Sequence, residues 1–325
     1  MKKFICGLLG IAVLAGLLVS FVPQAGAAET LRFAIVPKCV HAWFDLVHMG
    51  ARQEANKLSE VTGLKIEVEY RAPNAVDVTE QNTILSQVAA TKPTGIALDP
   101  VDYEGSKAVI EEIRAQGITV VLFDAPAPEG SDLTGVGCNF TEQAVIASEY
   151  LVKHLNGKGK VAIMQGVPTA PNHIERYEAH KATLAKYPGI EVVAEGVDND
   201  DIQVAQQQMA AIIAAHPDLD GVVCCNASGP IGIANAIKEA GMENKIFAVG
   251  MDGIKEILDA VKDGSLKASS ASIPQKQGSL SVLAMFQAYL GLDMPKVIDT
   301  GINFATPENV DQMLKDLEEL YKLIS

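Results

Sequence analysis

The sequence lacks the short motifs that mark the common enzyme classes. It contains neither GxSxG nor HExxH, no Walker A loop, and no GxGxxG after its first predicted strand. The run Gly135-Val136-Gly137 is too short for a phosphate-binding loop. None of the six histidines has an obvious nucleophile partner, and we expect three of them at helix surfaces or ends: His154, His180 and His216. We therefore expect a protein without catalytic activity and without a cofactor.

Cysteine is scarce as well, and its spacing fits no metal site. Cys6 lies near the N-terminus, which leaves Cys39, Cys138, Cys224 and Cys225 in the rest of the chain, and no CxxC occurs. The last three occupy apolar, strand-like contexts, where free cysteine packs as a small hydrophobic residue. An oxidising compartment would allow pairing, but we expect mostly free thiols and no bound metal.

Basic residues are in deficit. The chain has 26 basic and 40 acidic residues, a net charge of −14, and loss of Lys2 and Lys3 with an N-terminal leader would make the charge −16. Such an acidic surface repels nucleic acid and anionic lipid, so we expect neither as a partner. A neutral small-molecule ligand is left open.

The N-terminus contains the only apolar run in the sequence that is almost long enough to span a membrane. Two lysines precede the apolar residues 4–22, and Ala25-Gly26-Ala27 is a small-x-small cleavage site. We expect residues 1–27 to be a secretory signal peptide, cleaved near Ala27, that directs the chain to the periplasm. An uncleaved anchor is the alternative, because the run could almost span a bilayer. A lipoprotein would need a cysteine at the end of the run, whereas Cys6 is near its start.

Beyond this leader, short apolar strands alternate with amphipathic helices, which is the pattern of right-handed βαβ units. Strands are predicted at 31–36, 64–70, 95–98, 118–123 and 133–138, with helices at 43–59, 78–91 and 103–116. The pattern then restarts, with strands at 160–164, 190–194, 219–224, 245–249 and 266–270 and helices at 142–155, 174–187, 202–215, 231–240, 254–263 and 277–290. A segment at 297–305 and a helix from Pro307 complete the chain. The sequence predicts an α/β fold of two doubly wound parallel-sheet lobes joined by short crossings.

The only tryptophan, Trp43, lies at the predicted junction between the first strand and the first helix. Pro37 ends the strand, and a loop with Lys38 and His41 leads to Trp43 and Phe44. Ligands of open α/β sheets bind at the carboxyl ends of the strands. An exposed aromatic pair there suits the apolar face of a ligand. The alternative is that both rings belong to the core at the helix start.

Polar side chains follow other predicted strands in both halves. Asp124 follows ITVVLF, Asn226 follows GVVCC and Asp252 follows IFAVGM. Arg176 lies early in a helix, and His173 in a predicted cleft loop. Carboxylates, amides and guanidinium groups together match the hydroxyls of a neutral polyhydroxylated ligand. Each residue could instead be a helix cap, a turn former or a solvated surface residue, but the recurrence at strand ends favours binding.

These segments also carry a family resemblance. The motifs that carry it are FAIVPK before Trp43-Phe44, VVLFDA, GVVCCN before a helix, and FAVGMDG with a following DGSLKAS. In these motifs the chain resembles the sugar-binding periplasmic solute-binding proteins of ABC transporters, of the ribose- and galactose-binding type. The resemblance covers about residues 29–305. It implies the type I periplasmic binding protein fold, in which three crossings join two lobes around a sugar. Such proteins are themselves a standard example of hinge closure.

The resemblance also implies lobe boundaries and site residues. The N-terminal lobe would comprise 28–138 plus 273–302, and the C-terminal lobe 139–272 plus 303–325. The implied ligand contacts, together with neighbouring polar residues, form the predicted site: Lys38, His41, Trp43, Phe44, Asp124, Asn172, His173, Arg176, Asn199, Asn226, Asp252, Ser272 and Gln275.

The chain departs from the family pattern at several of these positions. Ala125 stands where many members have an arginine, Ser272 is near the usual hinge-side glutamine, and Asn199 falls where ribose-type binders carry a second aromatic. The VPK opening is similar to the furanosyl-autoinducer and rhamnose subgroup, although Asn172 and His173 replace the acid–amide pair of the autoinducer receptors. A smaller sugar, a polyol and a furanose-like molecule all stay open as ligands.

The function implied is that of a monomeric solute-binding component of an ABC importer, which delivers its ligand to a membrane permease. The alternative is a receptor that presents its ligand for chemotaxis or quorum signalling. A transcription regulator would need a helix-turn-helix where this chain has a secretion signal.

Overall fold

The computed structural model describes residues 30–322, so the predicted signal peptide and its alternatives lie outside the described residues. The described part folds around two six-stranded sheets. We call the unit built on each sheet the first lobe and the second lobe. In this part of the chain, no helix is both long and apolar enough to cross a membrane.

The first lobe contains a fully parallel sheet with helices on both sides. Its strands are β1 (Thr30–Val36), β2 (Lys65–Tyr70), β3 (Gly95–Leu98), β4 (Thr119–Phe123), β5 (Thr134–Gly137) and β11 (Val297–Asp299), in the order β11-β5-β4-β3-β1-β2. Its helices are α1 (Ala42–Thr62), α2 (Val78–Ala90), α3 (Tyr103–Ala115) and α9 (Pro274–Tyr289). The buried apolar strands explain the near-continuous hydrophobic runs in the sequence.

The second lobe repeats this plan with one antiparallel edge strand. Its strands are β6 (Lys158–Gln165), β7 (Gly189–Val197), β8 (Gly221–Cys224), β9 (Phe247–Met251), β10 (Ala268–Ala271) and β12 (Asn303–Ala305), in the order β12-β10-β9-β8-β6-β7. Its helices are α4 (Phe140–His154), α5 (Pro171–Leu184), α6 (Ile202–Ala215), α7 (Ser228–Glu239), α8 (Lys255–Lys262) and α10 (Val310–Lys322). Only β12 runs antiparallel to its neighbour, β10.

The chain passes between the lobes three times: from β5 to α4, from β10 to α9, and from β11 to β12. The predicted fold of two doubly wound lobes with three crossings is therefore confirmed. The lobe boundaries given above stay a prediction. The predicted segment at 297–305 is not one element, because it splits at Gly301 (φ 78°) into β11 and β12, which join different sheets.

Two helices whose first residue is proline begin three residues earlier than the sequence pattern predicts. Helix α5 begins at Pro171 rather than near 174, and α9 begins at Pro274 rather than near 277. Proline fits the first helical turn because the N–H that it lacks would have no partner there. The earlier start of α5 places residues 172 and 173 on a helix rather than in a loop.

One histidine is not where the sequence predicts it. The sequence pattern predicts His180 on a helix surface or end, but the residue is fully buried between α5, α4 and β8. Its Nε2–H donates to the carbonyl of Cys224 (3.1 Å), and its Nδ1 accepts from the Ser148 hydroxyl (2.7 Å). The hydrophobic pattern does not reveal this position, because the two partners of His180 come from elsewhere in the chain.

We expect His180 to make the protein sensitive to mild acid. Burial lowers the pKa of His180 from 6.5 to about 4. As the pH falls, His180 therefore takes up a proton in the unfolded chain before it does so in the folded protein. The contribution of His180 to the free energy of unfolding is complete above pH 6.5 and falls as the pH drops towards 4. The loss amounts to about 2 kcal/mol at pH 5. Urea unfolding at pH 7 and pH 5 should show a smaller acid loss for His180→Gln than for the wild type; equal losses would contradict this assignment.

Candidate ligand-binding site in the cleft

The carboxyl ends of strands from both sheets face one cavity between the lobes, as expected for parallel α/β sheets. The empty space in and around this cavity, including open solvent at its mouth, is about 260 Å³, so the enclosed part is smaller. It is lined by Lys38, His41, Trp43, Phe44, Asp124, His173, Arg176, Asp200, Asn226, Ala227 and Asp252. Most of the predicted site residues are thus brought together, and Asp200 and Ala227 are added.

Asp124 is the centre of the polar network on the first lobe. It follows β4 with a left-handed backbone (φ 46°), which aspartate tolerates better than most residues. From the second lobe, Asn172 Nδ2 lies 2.6 Å from Oδ2 and Arg176 Nη2 lies 3.5 Å from Oδ1. From the first lobe, Gln277 Nε2 approaches Oδ1 at 3.4 Å and Lys38 Nζ approaches Oδ2 at 3.6 Å. One carboxylate therefore ties the two walls of the cleft together.

Lys38 is held inside the first lobe by a residue that sequence reasoning missed. Its ammonium lies 2.8 Å from Asp99, which follows β3 as Asp124 follows β4. Burial alone would lower the pKa of Lys38, but Asp99, Asp124 and Asp200 together raise it, so the lysine is charged. The aspartate directly after a strand was a signal that could have found Asp99.

Arg176 is the largest of the described side chains that are less than 2% exposed, and it is itself 1% exposed. Its Nε donates to Gln143 Oε1 (2.9 Å), Nη1 donates to the Cys225 carbonyl (3.2 Å), and Nη2 faces Asp124. The guanidinium also lies over the Phe140 ring, 4.9 Å from its centroid. Burial would lower the pKa of Arg176, but the nearby Asp124 and Asp252 raise it. No sequence signal marks Gln143, which lies inside α4.

The aromatic pair is buried, which corrects the prediction of an exposed cluster. Trp43 is 3% exposed and Phe44 is 4% exposed, and their rings meet edge to face with centroids 5.1 Å apart. Trp43 Nε1 donates across the cleft to Asp252 Oδ1 and to Ser272 Oγ, both at 3.2 Å. The rings are buried because the second lobe covers the start of α1.

The other wall of the cavity is polar. His173 Nδ1 accepts from the Val167 N–H (2.8 Å), which leaves the ring proton on Nε2, 4.0 Å from Asp200 Oδ2. Asn226 Nδ2 donates to Asp198 Oδ1 (2.6 Å) and to Asp200 Oδ1 (2.8 Å). Burial, together with Lys38 and Arg176, lowers the pKa of His173 well below its ordinary value, so the ring is neutral.

Four predicted residues do not line this cavity. Asn172 and Ser272 are buried beside it, on Asp124 and Asp252 respectively. Asn199 is exposed, whereas the next residue, Asp200, faces the cavity. Gln275 lines a separate groove near α10, and it is Gln277 that reaches Asp124. The described residues contain no group of three or more side chains suited to hold a metal ion.

Several known proteins are similar to this chain over most of its length. A D-ribose/D-allose-binding protein of Pseudomonas aeruginosa is 25% identical over 307 residues, covering 88% of this chain and 93% of that protein. A xylitol-binding protein of Mycolicibacterium smegmatis is 28% identical over 271 residues, covering 79% and 76%. Both are named as binding proteins, which supports the expectation of a protein that is not an enzyme.

The same likeness holds at the level of structure and of the family. A solute-binding protein of an ABC transporter from Burkholderia graminis, solved in complex with D-arabinose, matches with a TM-score of 0.81 at 27% identity, covering 87% of this chain and 98% of that one. A family model described as a periplasmic binding protein domain matches residues 33–292. The fold, the cleft and these matches agree, and the chain belongs to the periplasmic binding protein family.

Proposed function

We propose that this chain is the extracytoplasmic solute-binding component of an ABC importer and that it captures a sugar or a related polyhydroxylated molecule. The observation that carries the proposal is the convergence of Asp124, Arg176 and Asp252 from both lobes on a cavity with an aromatic wall. Carboxylates accept hydrogen bonds from ligand hydroxyls, and the guanidinium fork donates to ligand oxygens. An aromatic ring packs against the apolar face of a sugar.

We favour a pentose or a five-carbon polyol as the ligand, because the relatives named above include binders of ribose, arabinose and xylitol. The aromatic residues of the cavity all come from the first lobe. The facing wall offers His173, Arg176, Asp200 and Asn226, so the ligand meets polar groups on that side. The pentose, the hexose and the polyol bound by the relatives fall within or near this class.

The mechanism is capture by closure of the lobes. Contacts across the cleft, such as those from Trp43 to Asp252 and from Asn172 to Asp124, hold the lobes together. A ligand that bridges Asp124 and Arg176 adds contacts only in the closed form, and therefore shifts the equilibrium towards it. We infer that the chain acts as a monomer in the periplasm, after cleavage near Ala27, and that the closed form delivers the ligand to a membrane permease.

A thermal-shift screen of the mature protein tests this function. The panel would contain D-ribose, D-arabinose, D-allose, D-apiose, xylitol and a furanosyl autoinducer. A compound that binds only the folded state at 100 times its dissociation constant stabilises the protein by about 2.7 kcal/mol. We expect at least one clear rise in the unfolding midpoint, together with a change in Trp43 fluorescence. A folded protein that responds to no compound of the panel would contradict the proposal.

A further inference from the structure

His173, Asp200 and Asn226 form one corner of the cavity. Their hydrogen bonds give these residues different roles from the ones that the family resemblance implies. The resemblance implies that Asn226 contacts the ligand. However, the Asn226 amide has two N–H donors, and the carboxylates of Asp198 and Asp200 each accept from Nδ2, at 2.6 and 2.8 Å. Its Oδ1 accepts from the Gly229 N–H (2.9 Å), which also fixes the orientation of the amide. Asn226 therefore has no free donor for a ligand.

Asp200, by contrast, has an oxygen that faces the cavity. Its Oδ1 accepts from Asn226, while Oδ2 lies 4.0 Å from His173 Nε2. That distance is too long for a direct hydrogen bond. The proton of His173 must be on Nε2, because Nδ1 already accepts from the Val167 N–H at 2.8 Å. A donor and an acceptor thus lie 4.0 Å apart at the cavity, and one hydroxyl oxygen placed beside the line that joins them can be about 2.8 Å from each.

Both members of this pair are rigidly placed. A Cβ atom at Gly166 would lie 2.4 Å from His173 Nδ1, so only glycine lets the ring approach the backbone here. Asp200 has a left-handed backbone (φ 62°), a conformation that needs support from its surroundings when it is not glycine. Asp198 Oδ1 accepts from the Asp200 N–H (2.9 Å), and the Ser228 hydroxyl donates to the Asp200 carbonyl (2.9 Å).

The charges of the two aspartates support different roles. Burial raises the pKa of Asp198 to about 8, so that this fully buried carboxyl carries a proton at neutral pH. Burial also acts against charge on Asp200, but the positive charge of Lys38 and the hydrogen bond from Asn226 oppose this effect, and the pKa of Asp200 is held below the ordinary value. Asp200 is therefore the ionised acceptor, and Asp198 is a neutral support behind it.

We propose that His173 Nε2–H and Asp200 Oδ2 bind one ligand hydroxyl as a donor–acceptor pair, and that Asn226 and Asp198 are positioning residues that hold Asp200. This inference rests on the proposed sugar-binding function and names one subsite of it. The hydroxyl accepts from the imidazole and donates to the carboxylate. A ligand without that hydroxyl would leave both groups unpaired.

The test combines Asp200→Asn with deoxy analogues of the tightest compound among D-ribose, D-arabinose, D-allose and xylitol, measured by calorimetry. We expect the variant to bind the parent compound about 10- to 100-fold more weakly, as for the loss of a charged hydrogen bond. One deoxy analogue should bind the wild type and the variant within threefold of each other. Glu191→Gln, an exposed carboxylate on β7, is the matched control and should change nothing.

Two further variants complete the design. Asn226→Ala should weaken binding through Asp200, so the double variant with Asp200→Asn should be within threefold of Asp200→Asn alone. An additive loss would give Asn226 a ligand contact of its own and overturn its positioning role. If Asp200→Asn fails to fold, His173→Gln addresses the same hydroxyl, because the glutamine oxygen can accept from Val167.

The outcomes separate this subsite from the function itself. Folded wild type that binds no compound of the panel would overturn the sugar-binding function and the subsite with it. Parent binding that survives Asp200→Asn, or a loss that is equal for every deoxy analogue, would overturn the subsite alone.

Discussion

Replacing Asp124 by asparagine is expected to weaken ligand binding by about 100-fold or more while the protein stays folded. Asp124 is the one carboxylate of the site that faces cations from both lobes, Lys38 at 3.6 Å and Arg176 at 3.5 Å. The amide of asparagine has the same shape but no charge, so it cannot pair with these cations, and it has one acceptor oxygen where the carboxylate has two. Loss of charged hydrogen bonds to ligand hydroxyls and loss of the interlobe contact both reduce affinity.

Asparagine is the sharper substitution because the backbone of Asp124 is left-handed (φ 46°). Alanine would add backbone strain to the loss of the carboxylate, whereas asparagine tolerates this conformation. The affinity would be measured by calorimetry with the tightest compound from the thermal-shift panel. Glu129→Gln removes a charge from an exposed loop of the same lobe and is the control. An Asp124→Asn variant that binds as tightly as this control would remove Asp124 from the ligand site.

Local sequence patterns predict most of this fold and the strand-end half of the site. The alternation of strands and helices is visible in short stretches of sequence. The helix ends are also set by local residues: Asp77 caps α2 by accepting from the Glu80 N–H at 2.7 Å, and Gly117 follows α3 with a left-handed backbone (φ 82°). Asp124 and Asp252 could be found because the sheet rule places the ends of parallel strands at one edge.

The parts that the sequence does not reveal depend on contacts between distant segments. Gln143 lies inside a helix and is identified only by Arg176, which donates to it at 2.9 Å. His180 looks like any polar helix residue until its partners on α4 and β8 are known. Asp200 and Asn199 are neighbours, and only the turn held by Asp198 determines which of the two faces the cavity. Such choices require the packed structure.

Replacing Arg176 by methionine is expected to cost both affinity and stability. The guanidinium is 1% exposed and contacts Gln143, Cys225 and Asp124. Methionine fills part of the volume but leaves the carboxylate of Asp124 and the Gln143 oxygen without these donors. Removing one partner of a buried ion pair typically costs about 3–5 kcal/mol, which is far larger than the effect of most surface substitutions.

The pH dependence of this cost distinguishes a lost ion pair from a simple packing defect. Burial already raises the pKa of Asp124, and Arg176 and Lys38 oppose that rise. Without Arg176 the pKa of Asp124 should rise further, so the folded variant binds a proton that the unfolded chain releases at about its ordinary pKa. The free energy of unfolding of the Arg176→Met variant should therefore fall as the pH rises above 3.8. The difference in stability between the variant and the wild type should be smaller in acid than at neutral pH. Urea unfolding at pH 7.5 and pH 5 measures this difference, with the exposed Arg52→Met as control. A deficit that is equal at both pH values would mean that Arg176 acts through its volume, and the charge pair across the cleft would then contribute little to closing the lobes.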